Sequence, residues 1–292
     1  MEEPIRIGVI GGSGLYAMNE LSDIEERTID TPFGSPSDAV IIGTLRGQRV
    51  AFLPRHGLGH VHTPSRVPYR ANIFALKTLG VEYIISISAC GSLKEEYAPG
   101  HVVIPDQLLD FTKNDRGRTF FGDELAAHIS VAQPFCPDLS QILYDASVAA
   151  GGTVHKGGSF ITIEGPRFSS KGESNVYRQW GLDIIGMTTS PEAFLAREAE
   201  MCYSVIAHVT DYDVWHETEE AVSVGMVIKT LQANIALAQR SIAIAVDKLA
   251  GRERTCECAN ALATAIITAR DRIPPAAIAK IRPIVGRYFE AS

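Results

Sequence analysis

The chain has 292 residues, of which 46% are apolar and 21% charged, a globular balance that argues against disorder. Its formal net charge is −7. An acidic surface repels a phosphate backbone, so bulk nucleic-acid binding is not expected, and any small anion must bind at a locally positive site. No apolar run approaches the roughly 18 residues of a membrane helix, and the start, Met1-Glu2-Glu3-Pro4, is acidic. These features lead to the expectation of a cytoplasmic protein with no membrane partner.

In chain order, Ile5 to Ile10 reads as a short strand running into the turn Gly11-Gly12-Ser13-Gly14. Glycines let a backbone approach a ligand closely, and successive N–H groups in such a turn form an anion nest. Gly12-x-Gly14-x-x-Ala17 also fits a loose dinucleotide fingerprint. That reading needs a helix next, and the mostly polar stretch 19–31 followed by Pro32 and Gly34 does not supply one. Ala39 to Leu45 and Arg49 to Leu53 read as a hairpin, followed by Pro54-Arg55-His56-Gly57. Arg55 carries a fixed fork of donors suited to phosphate, and His56 is a second donor candidate. His60 and His62 follow without the spacing of a helical metal motif.

Arg70 to Leu79 has helical spacing and stops at Gly80. Tyr83 to Ser88 reads as a buried strand ending in the small residues Ala89-Cys90-Gly91-Ser92, and His101 to Pro105 as another strand. Leu139 to Ala150 reads as a helix and Ser159 to Ile163 as a strand entering Glu164-Gly165-Pro166-Arg167-Phe168-Ser169-Ser170. Phe168 offers an aromatic face suited to a flat base. Helices are expected over 173–180, 191–200 and 221–249, and strands over 184–187 and 202–209. The last strand ends in Thr210-Asp211-Tyr212-Asp213, two carboxylates at i and i+2 on one side of a strand end. Each can accept from an amino group, and when protonated can donate.

Strands alternate with helices, so the expected class is α/β, with a twisted, largely parallel or mixed central sheet flanked by helices. Residues 1–250 read as one domain, and 251–292 as a C-terminal extension packing on the core or on a neighbour. Of five cysteines, Cys90, Cys136 and Cys202 sit in apolar contexts as ordinary buried residues. Cys256 and Cys258 stand in a polar segment. Two cysteines alone cannot complete a four-ligand zinc site, so no metal is expected, and a local disulfide is left open.

In the order they occur, five blocks resemble the 5'-methylthioadenosine phosphorylases of the purine nucleoside phosphorylase superfamily. They are Ile10-Gly11-Gly12-Ser13-Gly14-Leu15; residues 31–38, Thr-Pro-Phe-Gly-Ser-Pro-Ser-Asp; Arg55-His56-Gly57 with Tyr69-Arg70-Ala71-Asn72-Ile73; residues 132–137 with 163–170; and Gly186-Met187-Thr188-Thr189 with Thr210-Asp211-Tyr212-Asp213. The resemblance implies a three-layer nucleoside-phosphorylase-like fold and phosphorolysis of 5'-methylthioadenosine, with inorganic phosphate as co-substrate and no cofactor. It implies that Ser13, Arg55, His56, Ser88, Ala89 and Thr188 hold phosphate. Met187 then packs on the ribose, Phe168 and Ser169 meet the base, Asp211 acts at N7 and Asp213 at the 6-amino group. Val224 and Val227 line the methylthio pocket. His128 reaches in from a neighbouring subunit of a homotrimer or a hexamer of paired trimers. Three residues depart from the pattern: Ser88 stands where some members carry Thr, which keeps the hydroxyl, Pro68 where Asn is usual, and His208 where Met is usual. His208 lies near the base loop, where it is expected to affect preference or pH response. The cysteine pair also resembles the tail of some thermostable archaeal members, which adds weight to the disulfide.

Overall fold

A computed structural model describes residues 5–122, 124–216 and 224–289. Its centre is one mixed sheet with parallel strands at the middle. β1 (Ile7–Gly11) lies between β4 (Gln48–Pro54) and β5 (Tyr83–Ser92), parallel to both. β11 (Cys202–Asp211) runs parallel to β5 on its other side. β1 is buried at every position, as is β11, and β5 at all but one. Such continuous burial is why these strands read as unbroken apolar runs rather than alternating ones.

The expected hairpin is present as β3 (Val40–Leu45) and β4, paired antiparallel, with Arg46 and Gly47 at positive φ in the turn. β10 (Ile184–Gly186) runs antiparallel to the end of β5 and parallel to β9 (Ser159–Ile163). β6 (Val102–Ile104) pairs antiparallel with β11. Three strands have no counterpart in the sequence reading. β2 (Ser22–Arg27) is an exposed, charged edge strand next to β3, β7 (Gln107–Phe111) pairs with β9, and β8 (Val154–Lys156) pairs with β6. None is an apolar run of its own, and each exists because a neighbour offers hydrogen bonds.

The helices follow the expected positions to within a few residues: α1 (Tyr69–Thr78), α2 (Pro137–Ala149), α3 (Lys171–Gln179), α4 (Thr189–Glu198) and α5 (Val224–Leu249). α3 starts at a capping box, with Ser170 and Glu173 each satisfying the other's backbone N–H. α5 and α2 cover one face of the sheet through Leu139, Leu143, Ile242 and Val246. α1 and α4 cover the other through Ile73, Leu76, Leu195 and Ala196.

Beyond residue 250 come α6 (Pro275–Lys280) and α7 (Arg282–Val285). Leu262, Ile281, Ile284 and Val285 are buried in the same apolar cluster as α1 and α4. Glu200 ties the segment further, accepting from the Leu262 N–H and from Arg287. Leu262→Ala opens a cavity at a fully buried position and is expected to cost about 2–5 kcal/mol, read as a lower denaturant midpoint. An unchanged midpoint would show that the segment does not contribute to the stability of the fold.

Candidate active site

The parallel strands β1, β4, β5 and β11 end at one edge of the sheet, where α/β proteins place ligands. The register puts Gly11 beside Pro54, Ile10 beside Ser86, and Asp211 beside Gly91. β10 runs back along β5, with Ile184 opposite Ser92 and Ile185 opposite Gly91, so its continuation carries Met187 and Thr188 towards Ala89 and Ser88. Segments from five separate parts of the chain thus converge. Ser13 lies in the short helical turn after β1, but its side chain, like those of Val224 and Val227, lies outside what the structure describes.

Beneath this edge lies a buried ion pair. The Arg55 Nε and Nη2 donate to Glu192 Oε1 and Oε2 at 2.8 and 2.9 Å, with side chains 4% and 0% exposed. Nη2 also donates to Ser86 Oγ, and Nη1 to the Ile87 carbonyl. Tyr203 donates to the same Glu192 oxygen at 2.8 Å. Burial by itself lowers the Arg55 pKa, but the Glu192 charge more than offsets it and the guanidinium stays charged. Expected as a free phosphate fork, Arg55 is instead a bidentate partner of a carboxylate. Of its five N–H groups, only one on Nη1 remains uncommitted.

His56 differs in a second way. Burial, then the Arg55 charge, lowers its pKa to about 4, so the ring is neutral near pH 7. Nδ1 faces the His62 carbonyl at 2.8 Å and must carry the proton, which makes Nε2 an acceptor. The side chain therefore has no proton for an anion, and the donor His56 can offer is its backbone N–H. Ser88 is buried with its hydroxyl on the neighbouring Ala89 carbonyl, and Thr188 is buried at the start of α4.

The two aspartates meet across a turn rather than along a pleat. The ladder shifts between Val209 and Asp211, and Asp213 takes a left-handed φ of 51°. An Asp tolerates that conformation. The Asp213 N–H donates to Asp211 Oδ1 at 2.8 Å, and Thr210 Oγ1 to Oδ2 at 2.7 Å. Both carboxylates crowd Gly91: a Cβ there would stand 2.9 Å from Asp211 Oδ1 and 3.4 Å from the Asp213 Cβ. Burial pushes Asp211 up to about 6, with the two hydrogen bonds pulling the other way. Burial also raises Asp213, against the nearby Ser174 and Ser169 hydroxyls. The buried Ser169 and Ser174 hydroxyls lie close enough to Asp213 to act on its carboxyl, but neither they nor Asp213 Oδ2 make a hydrogen bond of good geometry with one another.

The loop carrying Phe168 and Ser169 is held by a residue that sequence reasoning missed. Arg116, with its side chain fully buried, donates to the Met187, Ser190 and Glu164 carbonyls. It clamps the 164–170 loop to the 187–190 loop. Gly165 sits at φ +62°, where a Cβ would lie 2.5 Å from the Met187 sulfur. Glu164 accepts from Ser65, the Lys113 and Asn114 N–H groups and Arg116. These outweigh the burial that would raise it, and it stays near 2. Phe168 and Met187 are half-buried at this junction. The only sequence signal for Arg116 is an Arg in an otherwise polar loop.

His128 is exposed and stands apart. It lines an open cavity of about 820 Å³ with Leu125, Glu198, Thr268 and Arg272, and no other predicted site residue lines that cavity. His208 is fully buried within β11, both ring nitrogens without a partner, and burial lowers its pKa to about 4. A ring that stays neutral above that pH is not a switch near neutrality, contrary to the sequence expectation.

This geometry agrees with what the chain is similar to. Residues 6–250 match the profile of the phosphorylase superfamily. The S-methyl-5'-thioadenosine phosphorylase of Geobacter sulfurreducens is 53% identical over 97% of this chain and 98% of its own length. That of Chloroflexus aurantiacus is 55% identical over the same shares. A methylthioadenosine phosphorylase from an antarctic soil metagenomic library superposes with a TM-score of 0.92 at 46% identity, covering 97% of this chain and 99% of the other. The Schistosoma mansoni methylthioadenosine phosphorylase in complex with adenine gives 0.83 at 38% identity, over 89% and 96%. The chain belongs to the phosphorylase superfamily and, within it, to the S-methyl-5'-thioadenosine phosphorylase family.

Glu192→Gln removes the charge that compensates a buried guanidinium and is expected to cost about 3–5 kcal/mol of stability. Thermal or denaturant unfolding of the folded variant checks this. A loss below about 1 kcal/mol, the size of a surface pair, would show that the ion pair does not hold the site together.

Proposed function

We propose that this site assigns the parts of a phosphorolysis. The chain cleaves 5'-methylthioadenosine with inorganic phosphate, giving adenine and 5-methylthioribose 1-phosphate. The carrying observation is the Asp211–Asp213 turn, which brings two buried carboxyls together over Gly91 at the end of the parallel strands, one of them with its pKa pushed up to about 6. Phosphate is placed by the Gly11–Gly14 turn with Ser13, the backbone N–H of His56 and of Ala89, the hydroxyls of Ser88 and Thr188, and the free Nη1 proton of Arg55. Met187 packs on the ribose, Phe168 and Ser169 meet the base, and Val224 and Val227 face the 5' substituent.

Cleavage passes through an oxocarbenium-like state, and the bound phosphate stabilises the positive sugar. The base departs easily only if N7 gains a proton, which Asp211 supplies as general acid. Asp213 accepts from the 6-amino group. No residue role needs a metal or organic cofactor. The enzyme is proposed to be cytoplasmic and to act as a homotrimer or as paired trimers, with exposed His128 entering the neighbouring subunit's site.

Adenine release should depend strictly on phosphate; release in its absence would indicate hydrolysis. Only the protonated Asp211 is a general acid, so kcat/KM should fall as pH rises through about 6. Asp211→Asn should abolish that limb and lower kcat by about 10²–10⁴-fold. A variant that keeps both rate and pH limb removes Asp211 from the chemistry. Asp213→Asn, whose amide also donates to a 6-oxo group, should narrow the preference for 6-amino over 6-oxo purines. A shift of about tenfold corresponds to ~1.4 kcal/mol. An unchanged ratio of kcat/KM values on the two base types would refute this role.

A further inference from the structure

Four of the five cysteines, scattered over more than a hundred positions, meet at one point. Cys136 precedes α2, Cys202 opens β11, and Cys256 and Cys258 flank the start of a short helical turn in the C-terminal segment. Their sulfur atoms all lie within 4.8 Å of one another, with Cys202 and Cys256 at 3.3 Å. Three are buried and Cys256 is half-buried, and all are free thiols. Four thiols on a tetrahedron around an ion with ~2.3 Å bonds stand about 3.8 Å apart, within the spread observed here.

The surroundings favour negative charge. Arg197 Nη1 lies 3.3 Å from Cys258 Sγ, and Cys136 caps the N-terminus of α2, a helix of thirteen residues. The sequence alone offered only the pair at 256 and 258, short of a ligand set. The fold supplies the two missing ligands.

We propose that Cys136, Cys202, Cys256 and Cys258 bind one zinc ion as a closed tetrathiolate site. Binding converts four thiols to thiolates, releases four protons to solvent and leaves the site at −2, partly balanced by Arg197. With four protein ligands and no open position, the ion is structural. It fastens the segment after residue 250 to the starts of α2 and β11. Cys202 and Asp211 are the two ends of one ten-residue strand, about 30 Å apart, so the ion takes no part in base departure.

The test uses the full-length protein purified under a non-chelating phosphine reductant and dialysed against added zinc. Mass spectrometric metal analysis should find about one zinc per chain. Cobalt in its place should give the ligand-to-metal charge-transfer and visible bands of a tetrahedral thiolate. Cys90→Ser should keep the metal, while Cys258→Ser should lose it and melt at lower temperature. Phosphate-dependent turnover of the folded Cys258→Ser protein should persist, so this test stands or falls separately from the catalytic assignment. Absence of bound zinc with five titratable thiols would overturn the proposal. So would recovery, in preparations made without reductant and then given zinc, of two disulfides that reduction does not convert to a zinc site. Should Cys258→Ser fail to fold, the cobalt spectrum of the wild-type protein decides.

Discussion

The structure depends on the charge of Arg55 being met by Glu192 inside the protein. A guanidinium buried in apolar surroundings is costly unless paired and fully hydrogen-bonded. Here the pair is completed by Ser86, the Ile87 carbonyl and Tyr203. These partners come from β5, β11 and α4, while Arg55 itself follows β4 and its backbone N–H bonds Gly11 at the end of β1. One ionic cluster therefore ties the ends of β1 and β4 to the middle of β5, the start of β11 and α4. The Gly11–Gly14 turn and the loop after Arg55, proposed to hold phosphate, spring from the ends of β1 and β4, so their spacing follows from this bond network.

Above that network the demands reverse. Asp213 is buried against the Ser169 and Ser174 hydroxyls, and burial raises the Asp211 carboxyl from the usual carboxylate range to about 6. Two buried carboxyls side by side are costly to ionise, and strongly perturbed carboxyls of this kind are commoner at functional sites than elsewhere. Arg116 and Arg55 play parallel parts, each spending nearly all of its donors on positioning. Arg116 joins the 164–170 loop to the 187–190 loop as Arg55 joins strands to α4.

The segment after residue 250 has the same relation to the core. Its apolar residues complete the cluster over α1 and α4, and its two cysteines complete a set begun by α2 and β11. The two cysteines make no cluster by themselves, because they supply only two of its four sulfur atoms.

The sequence by itself determined the alternation of strands and helices, the hairpin, the buried central strands and the Gly-rich and Asp-containing loops, because burial on both faces writes long apolar runs and turns demand Gly, Pro and Asp. It also carried the family resemblance through blocks that line the site. It did not reveal β2, β7 and β8, whose strand character comes from a neighbour's hydrogen bonds, nor Arg116, whose loop has no periodicity. Tertiary structure alone decided how the site residues are used: that Arg55 faces a carboxylate, that His56 is neutral with its proton already placed, that the two aspartates meet in a turn, and that four distant cysteines converge. Each of these depends on which groups surround a side chain in space, and on the burial that sets its charge, and neither is encoded in its neighbours along the chain.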